Sequence, residues 1–167
     1  MQTQTTSQTK IFLAGGTGAL GRYLLPILTK NGYSVTVVAR SEEKAKWVEQ
    51  LGAKPINIDL FSESACKEAV KGHDIVINLA TNIPPVDKLG DPTAWETNDR
   101  IRRIVSKNLA QAALEAKASI FIQESITFLY EDNGDNWIDE EGAVKPHTTT
   151  QSSLEAEGNA LALKSSS

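Results

Sequence analysis

Four glycines gathered in one short stretch, Gly15, Gly16, Gly18 and Gly21, constrain this chain more than any other feature of it. The stretch reads IFLAGGTGALGRYLLPIL, from Ile11 to Leu28. An apolar run, Ile11 to Ala14, passes into the glycines and then into Leu20, Leu24, Leu25 and Leu28 at helical spacing. That order specifies a strand, a tight turn and a helix.

Glycines have separate duties in such a turn. One adopts backbone angles closed to other residues, one lets a diphosphate approach the main chain, and one lets the helix lie close on its strand. An anion in the turn would meet free N–H groups and the positive end of the helix dipole.

The same alternation continues downstream. Ser34–Ala39, Lys54–Ile58, Asp74–Leu79 and Ser119–Gln123 read as strands two to five. Between them Glu42–Leu51, Ser62–Val70 and a long segment from Asn98 to Ala116 carry apolar residues at helical period. Strands alternating with helices imply a parallel sheet with right-handed crossovers, hence an α/β doubly wound Rossmann fold with strand order 3-2-1-4-5. A chain of 167 residues fits one domain, here 10–167, preceded by a disordered tail over residues 1–9.

Charge and cysteine content narrow the partners. A formal net charge of −4 leaves no basic face for nucleic acid. The single cysteine, Cys66, has no second cysteine to pair with and no metal-ligand spacing around it, so no metal is expected and a reduced thiol in a cytoplasmic protein is. The polar N-terminus lacks the features of a signal peptide, and no apolar run approaches membrane-spanning length. The stretch from Glu131 to His147 is acidic and poor in apolar residues, but Gly134 follows Asp132 too soon for a calcium loop. A solvated loop, or a lid over a site, is expected there.

Within this frame a dinucleotide is the expected ligand. Gly15, Thr17, Gly18, Ala19, Leu20 and Gly21 form its cradle, and Ala80 and Thr81 follow strand four on the same side of the sheet. Strand two ends at Arg40 and Ser41, where the adenosine ribose should lie. A guanidinium and a hydroxyl there suit a 2′-phosphate, whereas a carboxylate would repel it. NADP is therefore expected over NAD. Asp59, with Leu60 beside it, either borders the adenine or caps the next helix. Arg22 either adds a phosphate contact or is simply solvated.

These segments resemble the short-chain dehydrogenase/reductase superfamily, in its extended and atypical branch of NAD-dependent epimerases and dehydratases. The resemblance rests on GGTGALG, VVARSEEKA, INIDL, DIVINLAT, the Asn98 helix with NLAQAALEA, and FIQESITFLYEDNGDNWIDEE, and it runs from Lys10 to about Leu163. It implies oxidoreductase or epimerase chemistry on an unknown small-molecule substrate, with a serine and a tyrosine and lysine four residues apart. In this chain Thr149 stands at the tyrosine position and Ser153 at the lysine position, while Ile126 falls at the serine position. Ser125, Thr127 and Tyr130 are the nearest groups for proton transfer; His147 reads as a loop residue and His73 as structural.

Members of that branch continue further, with additional strands and a substrate lobe. The fifth strand is accordingly expected as an apolar edge, covered by a homodimer partner or another chain. Two functional readings follow: an NADP(H)-dependent enzyme with a noncanonical proton-transfer set, or a noncatalytic NADP(H)-binding sensor or regulatory module. A truncated product without activity is a third.

Overall fold

The computed structural model describes residues 8–163. Residues 1–7 of the expected tail lie outside the described residues, and Thr9 already joins the sheet, its carbonyl accepting from Ser34 N at 3.0 Å. Five parallel strands follow: β1 (Lys10–Ala14), β2 (Ser34–Val38), β3 (Lys54–Ile56), β4 (Ile75–Asn78) and β5 (Ile120–Gln123). Their order is β3-β2-β1-β4-β5, as the alternation predicts. β3 is two residues shorter than expected, ending where Ile56 O accepts from Ala39 N at 2.9 Å.

Side chains alternate across the sheet and build two cores. Ile11, Leu13, Val35, Val37 and Ile77 pack beneath α1 (Gly21–Lys30) and α2 (Glu42–Gln50), which contribute Leu25 and Val48. Phe12, Ala14, Val38 and Val76 pack on the other face against α3 (Glu63–Val70) and α5 (Ser106–Glu115), through Cys66, Val70, Leu109 and Ala113. Central strands covered on both faces carry continuous apolar runs, which is why they are legible as strands. His73 anchors the lower edge, its Nε2 lying 2.9 Å from Thr36 Oγ1 and its ring edge-on to Phe12.

The long helix is continuous in span but not in winding. It begins as α4 (Glu96–Arg100), widens into one π-helical turn over Ile101–Val105, and resumes as α5. Ser106 Oγ donates to Arg102 O inside that turn, the back-bonding that loosens a helix locally. α6 (Gln151–Leu161) packs along this helix, on the π-helical turn and α5, burying Ser152, Ser153 and Ala156, and Ser152 Oγ donates to Asp99 Oδ1 on α4 at 2.7 Å.

From Glu131 to Glu140 every residue of the acidic segment is exposed. A single antiparallel bridge between Tyr130 and Val144 ties its ends together. No described helix is long and apolar enough to cross a membrane.

Candidate functional site

A cleft of about 620 Å³ opens along the C-terminal ends of the strands. This is where a doubly wound sheet reverses its strand order and leaves a crevice between neighbouring loops. The glycine turn forms its centre, and Gly15, Thr17, Gly18, Ala19 and Leu20 all line it.

The turn can be this tight only because side chains are missing. Gly15 has φ +77°, and a Cβ there would stand 2.4 Å from the Leu79 carbonyl at the end of β4. Gly21 lies off the cleft wall; a Cβ on it would reach 2.3 Å from Gly15 O, so its part is to seat α1 against the turn. A Cβ on Gly18 would meet only Gly15 O, at 3.1 Å, and Gly18 is exposed on the cleft. Its bareness therefore serves whatever enters the cleft more than the packing beneath. α1 begins without a side-chain cap and without an acidic residue in its first turn; Arg22 N donates to Gly18 O and Tyr23 N and Leu24 N to Leu20 O, so the amides turn back on the main chain and no side-chain charge offsets the positive end of the dipole.

One end of the cleft is cationic. Arg40 and Lys44 both line it, together with Asn57, Asp59, Leu60 and Phe61 from the segment after β3. Lys44 was missed by sequence reasoning, although its place one helical turn after Arg40 is the signal that would have found it. Ser41 is not on the wall: its hydroxyl caps α2, accepting from Lys44 N at 3.3 Å. Asp59 lines the cleft while its Oδ1 accepts from Phe61 N at 2.9 Å. Phe61 in turn lies under the Arg100 guanidinium, 4.9 Å from the ring centre. Arg22 does not line the cleft; its guanidinium lies 5.5 Å from the ring centre of Tyr23.

Buried amides hold the loops around the opening. Asn78 Nδ2 donates to Gln123 Oε1 at 2.8 Å while its Oδ1 accepts from Ala80 N, and Asn98 Oδ1 accepts from Asn82 N at 3.0 Å. These bonds set the backbone that places Ala80 and Thr81 on the wall. Asn108 Nδ2 donates to Leu60 O, as does the Cys66 thiol. Cys66 is fully buried, and burial pushes its pKa up to about 11, which makes it an inert structural thiol.

The rest of the wall is mostly apolar. Ile83, Ile101 and Val105 contribute to it, and Glu124, the residue directly after β5, lines it on the side away from Arg40 and Lys44. Arg102 Nη2 donates to Glu124 Oε1 at 3.0 Å, with Arg102 only 2 % exposed. Burial raises the Glu124 pKa, and the guanidinium offsets this only in part. Sequence reasoning passed over Glu124, whose signal is a charged residue directly after an otherwise apolar strand.

Ser125, Thr127 and Tyr130 do not line this cleft. Ser125 Oγ donates to Glu157 on α6, one turn beyond Ser153. Thr127 opens a short 3-10 turn, Thr127–Leu129, and Tyr130 carries the bridge to Val144. Ser153 is buried, and Thr149 and His147 bond to each other at 3.2 Å just before α6. No group of three or more metal-ligating side chains occurs among the described residues.

A family model described as NAD(P)H-binding matches residues 15–160. Among curated proteins, the decarboxylating sterol-4-alpha-carboxylate 3-dehydrogenase of Dictyostelium discoideum is 44% identical over 73 residues, covering 44% of this chain and 22% of that protein. A chloroplastic epimerase family protein homolog from Arabidopsis thaliana is 26% identical over 161 residues, covering 95% of this chain and 46% of its own. The solved UDP-N-acetylglucosamine 4-epimerase from Bacillus cereus superposes with TM-score 0.74 at 21% identity, over 95% of this chain and 56% of that one. The Bordetella bronchiseptica enzyme WbmG in complex with NAD gives TM-score 0.77 at 19% identity, over 96% and 52%. The chain thus spans about half the length of these two structures and less than half of the curated relatives it matches.

Proposed function

This chain belongs to the NAD(P)H-binding family, and from that premise we propose that it holds NADP(H) in preference to NAD(H) and serves oxidoreductase- or epimerase-type chemistry. The observation that carries the reading is the pair of cations, Arg40 and Lys44, on the wall after β2. Two cations match the charge of a 2′-phosphate, and a guanidinium adds its fork geometry.

The glycine turn fits such a cofactor. The main chain from Gly15 to Leu20 and the uncapped start of α1 take the diphosphate, and Gly18 presents no side chain to it. Asp59 and Leu60 border the adenine, while Ala80 and Thr81 flank the second half. The chemistry such a cofactor supplies is hydride transfer, and the protein's part is to bind, orient and manage a proton. In this reading Ser125, Thr127 and Tyr130 carry that proton for a small-molecule substrate. The protein works in the cytoplasm, in keeping with its single unpaired, buried Cys66.

A second reading, a noncatalytic NADP(H)-binding module, is favoured by Thr149 and Ser153 at the tyrosine and lysine positions. Ser125, Thr127 and Tyr130 lying away from the cleft wall favour it too. Both readings include a second copy or another chain along β5, where Ile120 and Ile122 are 47% and 46% exposed.

Calorimetric titration with NADPH and NADH tests the cofactor claim. NADPH is expected to bind more tightly, and Arg40→Ala to weaken NADPH at least tenfold more than NADH; equal losses overturn the phosphate reading. Turnover of NADPH against a panel of ketones and nucleotide sugars then separates enzyme from module.

A further inference from the structure

The segment that follows β3 is pinned residue by residue, yet it leaves an aromatic ring in the open. Asp59 Oδ1 accepts from Phe61 N at 2.9 Å, and Leu60 O accepts from Asn108 Nδ2 at 3.0 Å and from the Cys66 thiol at 3.3 Å. Leu60 packs on the core that α3 and α5 cover, whereas Phe61 remains 37% exposed and lines the cleft. Removing an aromatic ring from water is favourable, so one held open on a cleft wall favours a ligand that covers it.

The ring is also braced from one side. The Arg100 guanidinium lies over it, 4.9 Å from the ring centre, and Arg100 does not itself line the cleft. A cation attracted to one face of an aromatic ring fixes the ring without covering its other face. Position in the sheet decides which part of a ligand meets that ring. β3 is hydrogen-bonded to β2, about 4.8 Å away, so Phe61 follows the strand next to the one that leads to Arg40 and Lys44. A phosphate seated on those cations brings the group beside it towards Phe61; in a 2′-phosphorylated dinucleotide that group is the purine on the same ribose.

We propose that the Phe61 ring, braced by the Arg100 guanidinium, is the stacking platform for the purine base of the dinucleotide. The proposal rests on the dinucleotide reading above. Stacking on an aromatic side chain uses the flat face of a base and not its hydrogen-bonding edge. Phe61 thus supplies affinity for the base, while Arg40 and Lys44 select the phosphate.

The test titrates NADPH and 2′,5′-ADP, which carries the purine and the 2′-phosphate without the nicotinamide half. Phe61→Leu keeps an apolar side chain at a partly exposed position and removes the aromatic face. It is expected to weaken both ligands about tenfold, while Phe61→Tyr stays within about twofold of wild type. Phe61→Trp gives a readout that a packing role would not move: 2′,5′-ADP should quench its indole emission beyond the change seen in wild type, where Trp47, Trp95 and Trp137 form the background. A Phe61→Leu protein that binds 2′,5′-ADP as tightly as wild type overturns the proposal, as does a Phe61→Trp protein that binds it without added quenching. Failure of wild type to bind either ligand instead overturns the dinucleotide reading, and this inference with it.

Discussion

The two halves of this sheet are finished to different degrees. From β1 to β2 the first residue of each strand is exposed and the remaining four are buried, with helices on both faces and a turn that leaves no room for a methyl group at Gly15, Gly16 or Gly21. At β5 the pattern becomes exposed and half-buried in alternation: Phe121 packs inward while Ile120 and Ile122 remain nearly half exposed. Further on, Phe128 is 79% and Trp137 98% exposed. β1 and β2 thus complete their own burial, whereas β5 does not. Close packing lies around the glycine turn, and exposed apolar surface lies along β5 and after it.

Substitutions can break this contrast. The largest effect is expected in the central sheet: Phe12→Ala, at a fully buried position, should cost about 3–5 kcal/mol in denaturant unfolding. Gly18→Val should lower NADPH and NADH binding more than about 100-fold by projecting into the cleft, yet change stability by only about 1 kcal/mol, since a Cβ there meets just one backbone atom. Retained binding would show that the turn is not the cradle.

The Arg102–Glu124 pair sharpens the contrast through pH. Glu124 has its pKa raised above the ordinary 4.5 in the folded protein, so the folded state binds its proton more tightly than the unfolded chain. Stability from this group is present below that value and is lost as pH rises through the raised one. The melting temperature of the Arg102→Met, Glu124→Leu variant should therefore gain on wild type as pH rises from about 4.5 and then level off. A difference that stays flat across that range would mean the carboxyl titrates normally.

The smallest effects are expected at surface turns and at the open edge. Lys117, between α5 and β5, has φ +56°, a left-handed conformation that favours glycine; Lys117→Gly relieves a cost of about 1–2 kcal/mol against about 0.5–1 kcal/mol of added unfolded-state freedom, and should stabilise by no more than about 1 kcal/mol. Ile122→Thr, on the half-exposed side of β5, should change monomer stability by less than about 1 kcal/mol. A much larger loss, measured together with light scattering, would reveal a partner covering that strand.

The apolar runs, the glycine spacing and the helical periods were enough to place five strands in order, because each signal is written in neighbouring residues and each strand's burial follows from its own composition. The tight turn was legible for the same reason: Gly15 and Gly21 are required by contacts within the turn and with the adjoining strand. Arg40 could be placed at a strand end, but Ser41's hydroxyl went to the backbone of its own helix, a competition between cap and ligand that spacing alone does not settle. Only the tertiary structure decided the far end of the cleft. Glu124 acquires its character from Arg102, 22 residues earlier on a π-helical turn, and Ser125 loses its freedom to Glu157, 32 residues later. Local patterns specify elements, but the protonation and pairing of a buried side chain depend on which distant groups the folded chain sets beside it.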